Sequence, residues 1–260
     1  MKIRQKISVV IITRNSAAFL PECLESVNWA DEIVVLDFNS TDQTQNIACQ
    51  YGAIVYTTNS WNGYGKQRQI AQSYAHHSMI LMIDSDERVT NNLKNSIQNV
   101  LKEPETDTVY LVSRSNLFLG RFMRHGGWYP DRVIRLYPRH FQYNSNLVHE
   151  ALCAPKTKIK LLYGDLLHIT GSDFFSFQLK QLAHAKAWAI QSNQDGKHSD
   201  VIRILLNTIW TFMQTLLIRA SFLDGTQGWI LAIVNSQYTF NKYTILWTLN
   251  RSTKKKIHEQ

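Results

Sequence analysis

The stretch Met79–Glu87, M-I-L-M-I-D-S-D-E, constrains the fold more than any other part of the chain. The apolar residues 79–83 are typical of a strand that is buried on both faces of a sheet. Residues i and i+2 of an extended chain point the same way, so Asp84 and Asp86 can converge on one ligand at the strand end. A divalent cation carrying a phosphate is the natural candidate, because Mg²⁺ and Mn²⁺ bind carboxylate and phosphate oxygens. A solvated acidic turn is the alternative.

Strands and amphipathic helices alternate through the first third of the chain. The pattern predicts strands at 7–13, 33–36, 53–56 and 79–83. This alternation is typical of βαβ units, so we expect an α/β fold with a mostly parallel central sheet. Three of these strands end in polar clusters, at 13–15, 37–42 and 84–86. Those clusters share the carboxyl edge of the sheet, where a nucleotide binds.

The polar clusters supply candidate ligands for a nucleotide diphosphate, although neither a G-x-G-x-x-G nor a G-x-x-x-x-G-K-[ST] motif is present. Asp37 can accept a hydrogen bond from a base imide or a ribose hydroxyl, and Asp84 from ribose. Asp86 can hold a metal that bridges the diphosphate. Lys66 and Arg68, at the start of a predicted helix, can add positive charge there. A solvated basic helix face is the alternative for that pair.

The formal net charge of +8 implies an anionic partner. Residues 201–260 contain seven Lys/Arg and two Asp/Glu, a net of +5, so the excess is concentrated at the C-terminus. The three cysteines form no C-x-x-C pair, which suggests neither a disulfide framework nor a zinc site and fits a reducing cytosol. The apolar run at 9–12 is too short for a signal sequence and is interrupted by Arg14.

The composition changes after a polar linker at 191–199, which separates a predicted catalytic domain, 1–198, from an extension, 199–260. Segments 204–218 and 229–249 are apolar but are interrupted by polar residues. Neither therefore offers the roughly twenty apolar residues of a membrane span. We expect amphipathic helices in the membrane interface, with basic residues toward anionic lipid. Packing on the catalytic domain or on a second subunit is the alternative.

Four ordered motifs resemble a known enzyme family. V-V-I-I-T-R-N, D-F-N-S-T-D-Q-T, W-N-G-Y-G-K-Q-R-Q and M-I-D-S-D-E occur in the order seen in the family 2 glycosyltransferases of the GT-A fold. The second half contains H-G-G-W-Y-P-D, R-L-Y and V-H-E. It resembles the branch that builds the lipopolysaccharide inner core, whose best-known members add glucose to the first heptose. The resemblance covers essentially the whole chain, with a departure at Phe38-Asn39, where smaller or acidic residues are usual.

The resemblance implies a metal-dependent, inverting transfer of a hexose, expected to be glucose from UDP-glucose, to heptose of the lipopolysaccharide or lipooligosaccharide inner core. It implies base contacts by Thr13 and Asp37, a ribose contact by Asp84 and a metal ligand at Asp86. Related GT-A enzymes often use a histidine as a further metal ligand, and His168 is the candidate, although a lone histidine after an apolar run is also typical of a structural residue.

An inverting transfer needs a base that takes the proton of the acceptor hydroxyl. Glu150 is our candidate, because a carboxylate beside an imidazole can be held with a suitable pKa. His149 would orient it or contact the diphosphate. A structural salt link between the two is the alternative. Asp131 is the next candidate base.

The aromatic and basic segment after Gly120 suits a phosphorylated saccharide acceptor, because aromatic faces stack on sugar rings and arginine forms forked bonds to phosphate. The predicted acceptor-binding residues are Arg124, His125, Trp128, Tyr129, Asp131 and His149. A core-covering loop anchored by Trp128 is the alternative.

Two other functions account for parts of the sequence. A polyprenyl-phosphate glycosyl synthase shares the first-half motifs, but the acceptor segment and the His149-Glu150 pair argue against it. A basic nucleic-acid-binding protein leaves Asp84 and Asp86 unexplained, because carboxylates repel phosphate unless a metal intervenes. The expected partners are therefore a nucleotide-sugar donor, a lipid-linked saccharide acceptor and the cytoplasmic surface of the inner membrane, with no nucleic acid.

Overall fold

The computed structural model describes residues 4–103, 105–145, 150–155, 157–169 and 173–258. The chain forms two compact units, Met1–Ser115 with Asp131–His168, and Asn116–Pro130 with Ile169–Gln260. The second unit thus groups the glycine-rich segment 116–130 with the C-terminal helices. The predicted domain boundary at residue 198 divides the chain elsewhere and stays a prediction.

The secondary structure follows the predicted alternation. The strands are β1 Ile7–Thr13, β2 Glu32–Asp37, β3 Ile54–Thr57, β4 Met79–Asp84, β5 Glu87–Val89, β6 Thr108–Phe118, β7 Arg121–Phe122, β8 Asp131–Pro138, β9 Gln142–Tyr143, β10 Leu152–Cys153 and β11 Lys158–His168. The helices are α1 Leu20–Ser26, α2 Thr44–Gln50, α3 Tyr64–Ser73, α4 Asn91–Lys102, α5 Phe174–Gln194, α6 Val201–Met213 and α7 Thr226–His258. A π-helical turn, Gln214–Ile218, and a 3-10 turn, Ser221–Asp224, follow α6.

The main sheet of the described residues has the strand order β3-β2-β1-β4-β8-β6-β11-β5, with β7 paired to β6. Strands β3, β2, β1 and β4 are parallel, whereas β8 pairs antiparallel with both β4 and β6. Strands β1 and β4 are buried along nearly their whole length, which explains their uninterrupted apolar sequences. The predicted α/β fold with C-terminal helices is confirmed.

A turn at Ser16 precedes the first helix, which starts at Leu20. The carbonyl of Ser16 accepts the N–H groups of Phe19 and Leu20, at 3.0 Å and 2.9 Å, in this turn. Pro21 lies in the first helical turn, where its missing N–H costs nothing.

The second unit is helical. Helix α7 packs against both α5 and α6. Asn250 links the ends of these helices, because its amide donates to Asn193 at 2.8 Å and its carbonyl accepts the N–H of Ser199 at 3.0 Å. The unit has its own hydrophobic cluster, which includes Phe118, Met123, Phe177, Leu231 and Val234.

One described segment, Val201–Ile218, is long and apolar enough to cross a membrane by length and composition, and 17% of it is buried. The expectation that this segment falls short of a span is therefore wrong by that measure. The reason is that its polar residues are few and mostly uncharged, so they interrupt the apolar run without lowering its hydropathy much.

Candidate active site

The carboxyl ends of three parallel strands meet as predicted. The register places Thr13 opposite Asp37 and Ile12 opposite Asp84. The hydroxyl of Thr13 donates to Asp37 Oδ1 over 3.0 Å. The polar side chains that end β1, β2 and β4 therefore share one edge of the sheet.

Asp37 is fully buried and its carboxylate is occupied by neighbouring groups. Besides the bond from Thr13, it accepts the N–H and the hydroxyl of Ser40, at 3.0 Å and 2.5 Å, and the amide of Gln45 at 2.8 Å. A carboxylate offers about four acceptor positions, so a base imide would have to replace one of these donors. Base contact by Thr13 and Asp37 stays a prediction.

Two buried arginines hold Asp84. Arg68 on α3 is 2.6 Å from Oδ1, and Arg135 on β8 is 2.6 Å from Oδ2. Burial opposes the charge on Asp84, but the guanidinium groups of Arg135 and Arg68 outweigh it and hold the pKa of that carboxyl well below its usual range. The charged carboxylate keeps lone pairs that can accept a bond from a ribose hydroxyl.

Glu87 fixes the turn that follows Asp84. It is fully buried, and its Oε2 accepts the N–H of Asp84 at 2.9 Å. Its Oε1 accepts from Arg135 at 2.6 Å and from Arg114 at 3.4 Å. Sequence reasoning did not select Glu87, Arg114 or Arg135 as site residues. The available signal was an arginine inside the apolar stretch V-I-R-L-Y, because a buried strand accommodates such a charge only beside carboxylates.

The two predicted metal ligands, Asp86 and His168, lie together. His168 Nε2 is 3.6 Å from Asp86 Oδ2. The pairing of β11 with β5, which places His168 opposite Glu87, brings them close. A carboxylate oxygen and an imidazole nitrogen fit Mn²⁺, with diphosphate oxygens and water as the other ligands. Among the described residues, no group of three or more His, Cys, Asp or Glu side chains could hold a metal ion, so substrate oxygens would be needed.

The predicted base, Glu150, lies beside the arginine that holds Asp84. Arg68 Nε is 3.8 Å from Glu150 Oε1. Asp131 instead receives two bonds from Arg114, at 2.8 Å and 2.6 Å. Both carboxylates therefore lie beside an arginine. The catalytic role of Glu150 stays a prediction, and its neighbour His149 lies outside the described residues.

Lys66 and Arg68 lie on opposite faces of α3. Arg68 is buried in the site, whereas Lys66 is exposed and donates to Gln69 at 3.2 Å. Residues two positions apart on a helix are separated by about 200° around its axis, so the two side chains diverge. Diphosphate binding by Lys66 stays a prediction.

The predicted acceptor residues are divided between the compact units. Asp131 begins β8 in the first, whereas Arg124, His125, Trp128 and Tyr129 belong to the second. Trp128 packs into the hydrophobic cluster of that unit, as expected of an anchoring residue. The guanidinium of Arg124 lies 5.0 Å from the ring centre of Tyr129. Acceptor binding by these residues stays a prediction.

A match to a protein-family model identifies the family to which the chain belongs. A model of the family described as Glycosyl transferase family 2 matches residues 8–159, more than half of the chain. The chain is a family 2 glycosyltransferase. The matched range contains the predicted donor residues, Asp86 and Glu150, whereas His168 lies beyond it.

This family 2 glycosyltransferase resembles several bacterial proteins over most of its length. It is 29% identical over 246 residues to the uncharacterized glycosyltransferase RP128 of Rickettsia prowazekii, covering 88% of this chain and 82% of the relative. It is 26% identical over 245 residues to the lipopolysaccharide core biosynthesis glycosyltransferase LpsC of Rhizobium meliloti, covering 90% and 89%. The crystal structure of S. aureus TarS 1–349 matches with a TM-score of 0.50 and 17% identity, covering 95% and 92%. That match shows a shared GT-A fold.

Replacing Glu87 by Gln is expected to lower the free energy of unfolding of this glycosyltransferase by about 2 kcal/mol, because Arg135 and Arg114 lose the charge of Glu87 and keep only Asp84 and Asp131 as charged partners. The amide preserves the size of the side chain, so the loss reports the missing charge. Urea unfolding followed by circular dichroism measures it. Glu105→Gln, which breaks an exposed ion pair with Lys160, is the matched control and should change stability little. Equal effects in both variants would contradict the role of Glu87.

Proposed function

We propose that this glycosyltransferase moves glucose from UDP-glucose to a heptose of the lipopolysaccharide or lipooligosaccharide inner core, with inversion and with a divalent cation. One observation carries the proposal: the side chains of Asp86 and His168 lie 3.6 Å apart. Asp86 is two residues from the charged Asp84 at the sheet edge. A diphosphate donor fits there because its oxygens would complete the coordination of the cation.

Two similar proteins support the chemical classes of donor and acceptor. LpsC is named as an enzyme of lipopolysaccharide core biosynthesis, which supports a core saccharide as acceptor. TarS 1–349 was crystallised in complex with UDP, and that structure matches with a TM-score of 0.50 and 18% identity over 95% of this chain. A uridine nucleotide as donor agrees with it.

The donor residues divide the work. Asp84 accepts a bond from a ribose hydroxyl, and Arg68 and Arg135 keep its carboxylate charged and oriented. Asp86 and His168 would hold the cation, which when bound supplies positive charge to the departing diphosphate. The carboxylate of Asp84 thus binds the ribose of the donor, whereas that of Asp86 assists the departure of the diphosphate by holding the cation.

Glu150 takes the proton of the acceptor hydroxyl as that hydroxyl attacks the anomeric carbon. Inversion requires the nucleophile to enter opposite the leaving diphosphate. The contact of Glu150 with Arg68, at 3.8 Å, supports this role because Arg68 also binds Asp84, a predicted donor residue.

A cluster of aromatic side chains next to Asp37 is suited to binding the nucleotide base. Phe38 follows Asp37 directly, the ring of Trp61 lies 5.3 Å from that of Phe38, and the ring of Tyr64 lies 4.9 Å from that of Trp61. Aromatic faces stack on bases, so Phe38 or Trp61 is proposed to offer one face to the uracil. Sequence reasoning noted Phe38 only as a departure from the family pattern and did not select Trp61.

Thermal unfolding of the full chain with a panel of nucleotide sugars, with and without Mn²⁺, tests the donor. We expect UDP-glucose with Mn²⁺ to raise the melting temperature more than GDP or CMP sugars do, because a ligand that binds the folded state stabilises it. Mass spectrometry of a heptose-terminated core saccharide incubated with the same donor tests the acceptor. Absence of any metal-dependent shift would contradict the proposal.

We also propose that the protein is peripheral on the cytoplasmic face of the inner membrane. Helix α6 exposes Ile202, Leu206 and Ile209, with exposed fractions between 61% and 71%. Their spacing places them on one face of the helix. A contiguous exposed apolar face of this kind is typical of a helix that lies in the membrane interface.

Replacing Ile202, Leu206 and Ile209 by Ser is expected to move the full chain from the membrane fraction to the soluble fraction, as measured by sedimentation of cell lysates. Deleting residues 201–260 is a poorer test, because it also removes the helix that packs on α5. The control replaces exposed apolar residues of the first unit, Ile54, Ile159 and Leu161. If the control is released equally, or the variant stays on the membrane, the proposal fails.

A further inference from the structure

A buried carboxylate in the second unit holds the segment 121–129. Asp224 is fully buried, and its Oδ2 accepts the N–H groups of Arg124 and His125 at 3.0 Å and 2.7 Å. Its Oδ1 lies 3.3 Å from His125 Nδ1 and 3.7 Å from Arg121 Nη2. These partners compensate the cost of burying the charge. The segment is therefore attached to the turn that joins α6 to α7.

Two glycines allow the segment to approach this turn closely. Gly126 and Gly127 have φ values of 71° and 79°. A Cβ on Gly126 would lie 2.9 Å from the side chain of Leu231, and one on Gly127 would lie 3.0 Å from the guanidinium of Arg219. The carbonyl of Arg219 also accepts the N–H of Gly126 at 2.8 Å. Arg219 is thus held against the segment from which Arg121 and Arg124 project.

The surface of these two stretches is both cationic and apolar. Across residues 116–130 and 214–230 the arginines are Arg121, Arg124 and Arg219, all exposed, whereas the sole carboxylate in the sequence of these stretches is the buried Asp224. Five large apolar side chains of the turn have exposed fractions between 43% and 65%: Leu217, Ile218, Phe222, Leu223 and Trp229. We name the three arginines and these five apolar residues the turn surface.

We propose that the turn surface binds the anionic phosphate headgroup of a membrane lipid. Guanidinium groups form forked hydrogen bonds with phosphate oxygens. Large apolar and aromatic side chains beside them are suited to the boundary between headgroups and acyl chains. A free phosphorylated sugar would leave the apolar side chains in water, so the combination of charge and apolar area favours a lipid.

This inference rests on the proposed function and deepens it. The segment held by Asp224 carries Arg124, His125, Trp128 and Tyr129, which are the predicted acceptor residues of the second unit. The turn surface would therefore recognise the lipid part of a lipid-linked acceptor on the same unit that presents these residues to the saccharide.

Cosedimentation of the full chain with lipid vesicles tests the inference. We expect binding to vesicles of phosphatidylcholine with phosphatidylglycerol, and much weaker binding to phosphatidylcholine alone. Each basic residue near an anionic membrane contributes about fivefold to partitioning, so the triple variant Arg121→Gln, Arg124→Gln, Arg219→Gln should bind roughly a hundredfold more weakly. The double variant Phe222→Ser, Leu223→Ser should also bind more weakly while keeping the salt dependence of the wild type.

The control variant removes the same net charge from exposed lysines of the first unit, with Lys6→Gln, Lys102→Gln and Lys158→Gln. It should bind the vesicles as the wild type does. An equal loss in this control would show that net charge alone attracts the chain, and would overturn the inference. Equal binding of the wild type to both vesicle types would overturn it as well. Displacement by millimolar inorganic phosphate would indicate a site for free phosphate and would exclude a lipid as the occupant.

The same proteins distinguish this inference from the proposed function. The triple arginine variant should keep the stabilisation by UDP-glucose with Mn²⁺, because none of its positions belongs to the first unit. Unimpaired vesicle binding by that variant overturns the inference and leaves the proposed function standing. If UDP-glucose with Mn²⁺ does not stabilise the wild type although the wild type binds vesicles, the proposed function is overturned.

Discussion

Asp86→Asn is expected to lower the rate of sugar transfer by roughly a hundredfold or more, because a neutral amide holds a divalent cation much less strongly than a carboxylate does. The fold should be unaffected, since the side chain of Asp86 is 31% exposed and follows β4 outside the buried core. Removal of Mn²⁺ and Mg²⁺ by a chelator should lower wild-type transfer to a similar extent.

Transfer measured across a titration of Mn²⁺ separates the possible causes. If Asp86 is a metal ligand, the variant needs a higher Mn²⁺ concentration for half-maximal rate, and His168→Gln shifts the titration in the same direction. Asp107→Asn, at an exposed position of the first unit, is the matched control and should follow the wild-type curve. A wild-type curve for Asp86→Asn would remove Asp86 from the metal site.

The sheet edge could be predicted from the sequence because its information is local. The apolar runs of β1 and β4 define buried strands, and the polar residues that follow each run must lie at the same edge of a parallel sheet. That argument alone predicts that Asp84 and Asp86 lie at this edge. His168 came from the family pattern, and the pairing of β11 with β5 explains why it reaches Asp86.

The arginine pairs could not be predicted in the same way, because each joins segments that are far apart in the chain. Arg135 is 51 residues from Asp84 and 48 residues from Glu87, so no local periodicity links them. Helical spacing could have separated Lys66 from Arg68, since positions two apart on a helix face different directions.

The division into two units could not be predicted from local sequence patterns either. The segment 121–129 lies within the predicted catalytic domain, 1–198. It is held by Asp224, which is 99 residues beyond His125. The available sequence signal was Asp224, the single acidic residue of an apolar stretch. A charge in such surroundings requires partners from elsewhere in the chain.

Glu150→Gln is expected to lower turnover by a factor of roughly a hundred or more, because general-base catalysis typically contributes that much. The affinity for UDP-glucose should change little, since the amide preserves the shape of the side chain and Arg68 remains bonded to Asp84 at 2.6 Å. Turnover and donor affinity are therefore measured on the same preparation, by initial rates of transfer and by titration calorimetry.

The two measurements together assign the role of Glu150. A loss of turnover at constant donor affinity identifies an interaction that matters in the transition state, whereas a loss of donor affinity at constant turnover identifies a binding residue. Glu103→Gln, at an exposed position after α4, is the matched control. If Glu150→Gln turns over like this control, the base lies elsewhere. Asp131→Asn would then be the next variant, and it removes a carboxylate that accepts two bonds from Arg114.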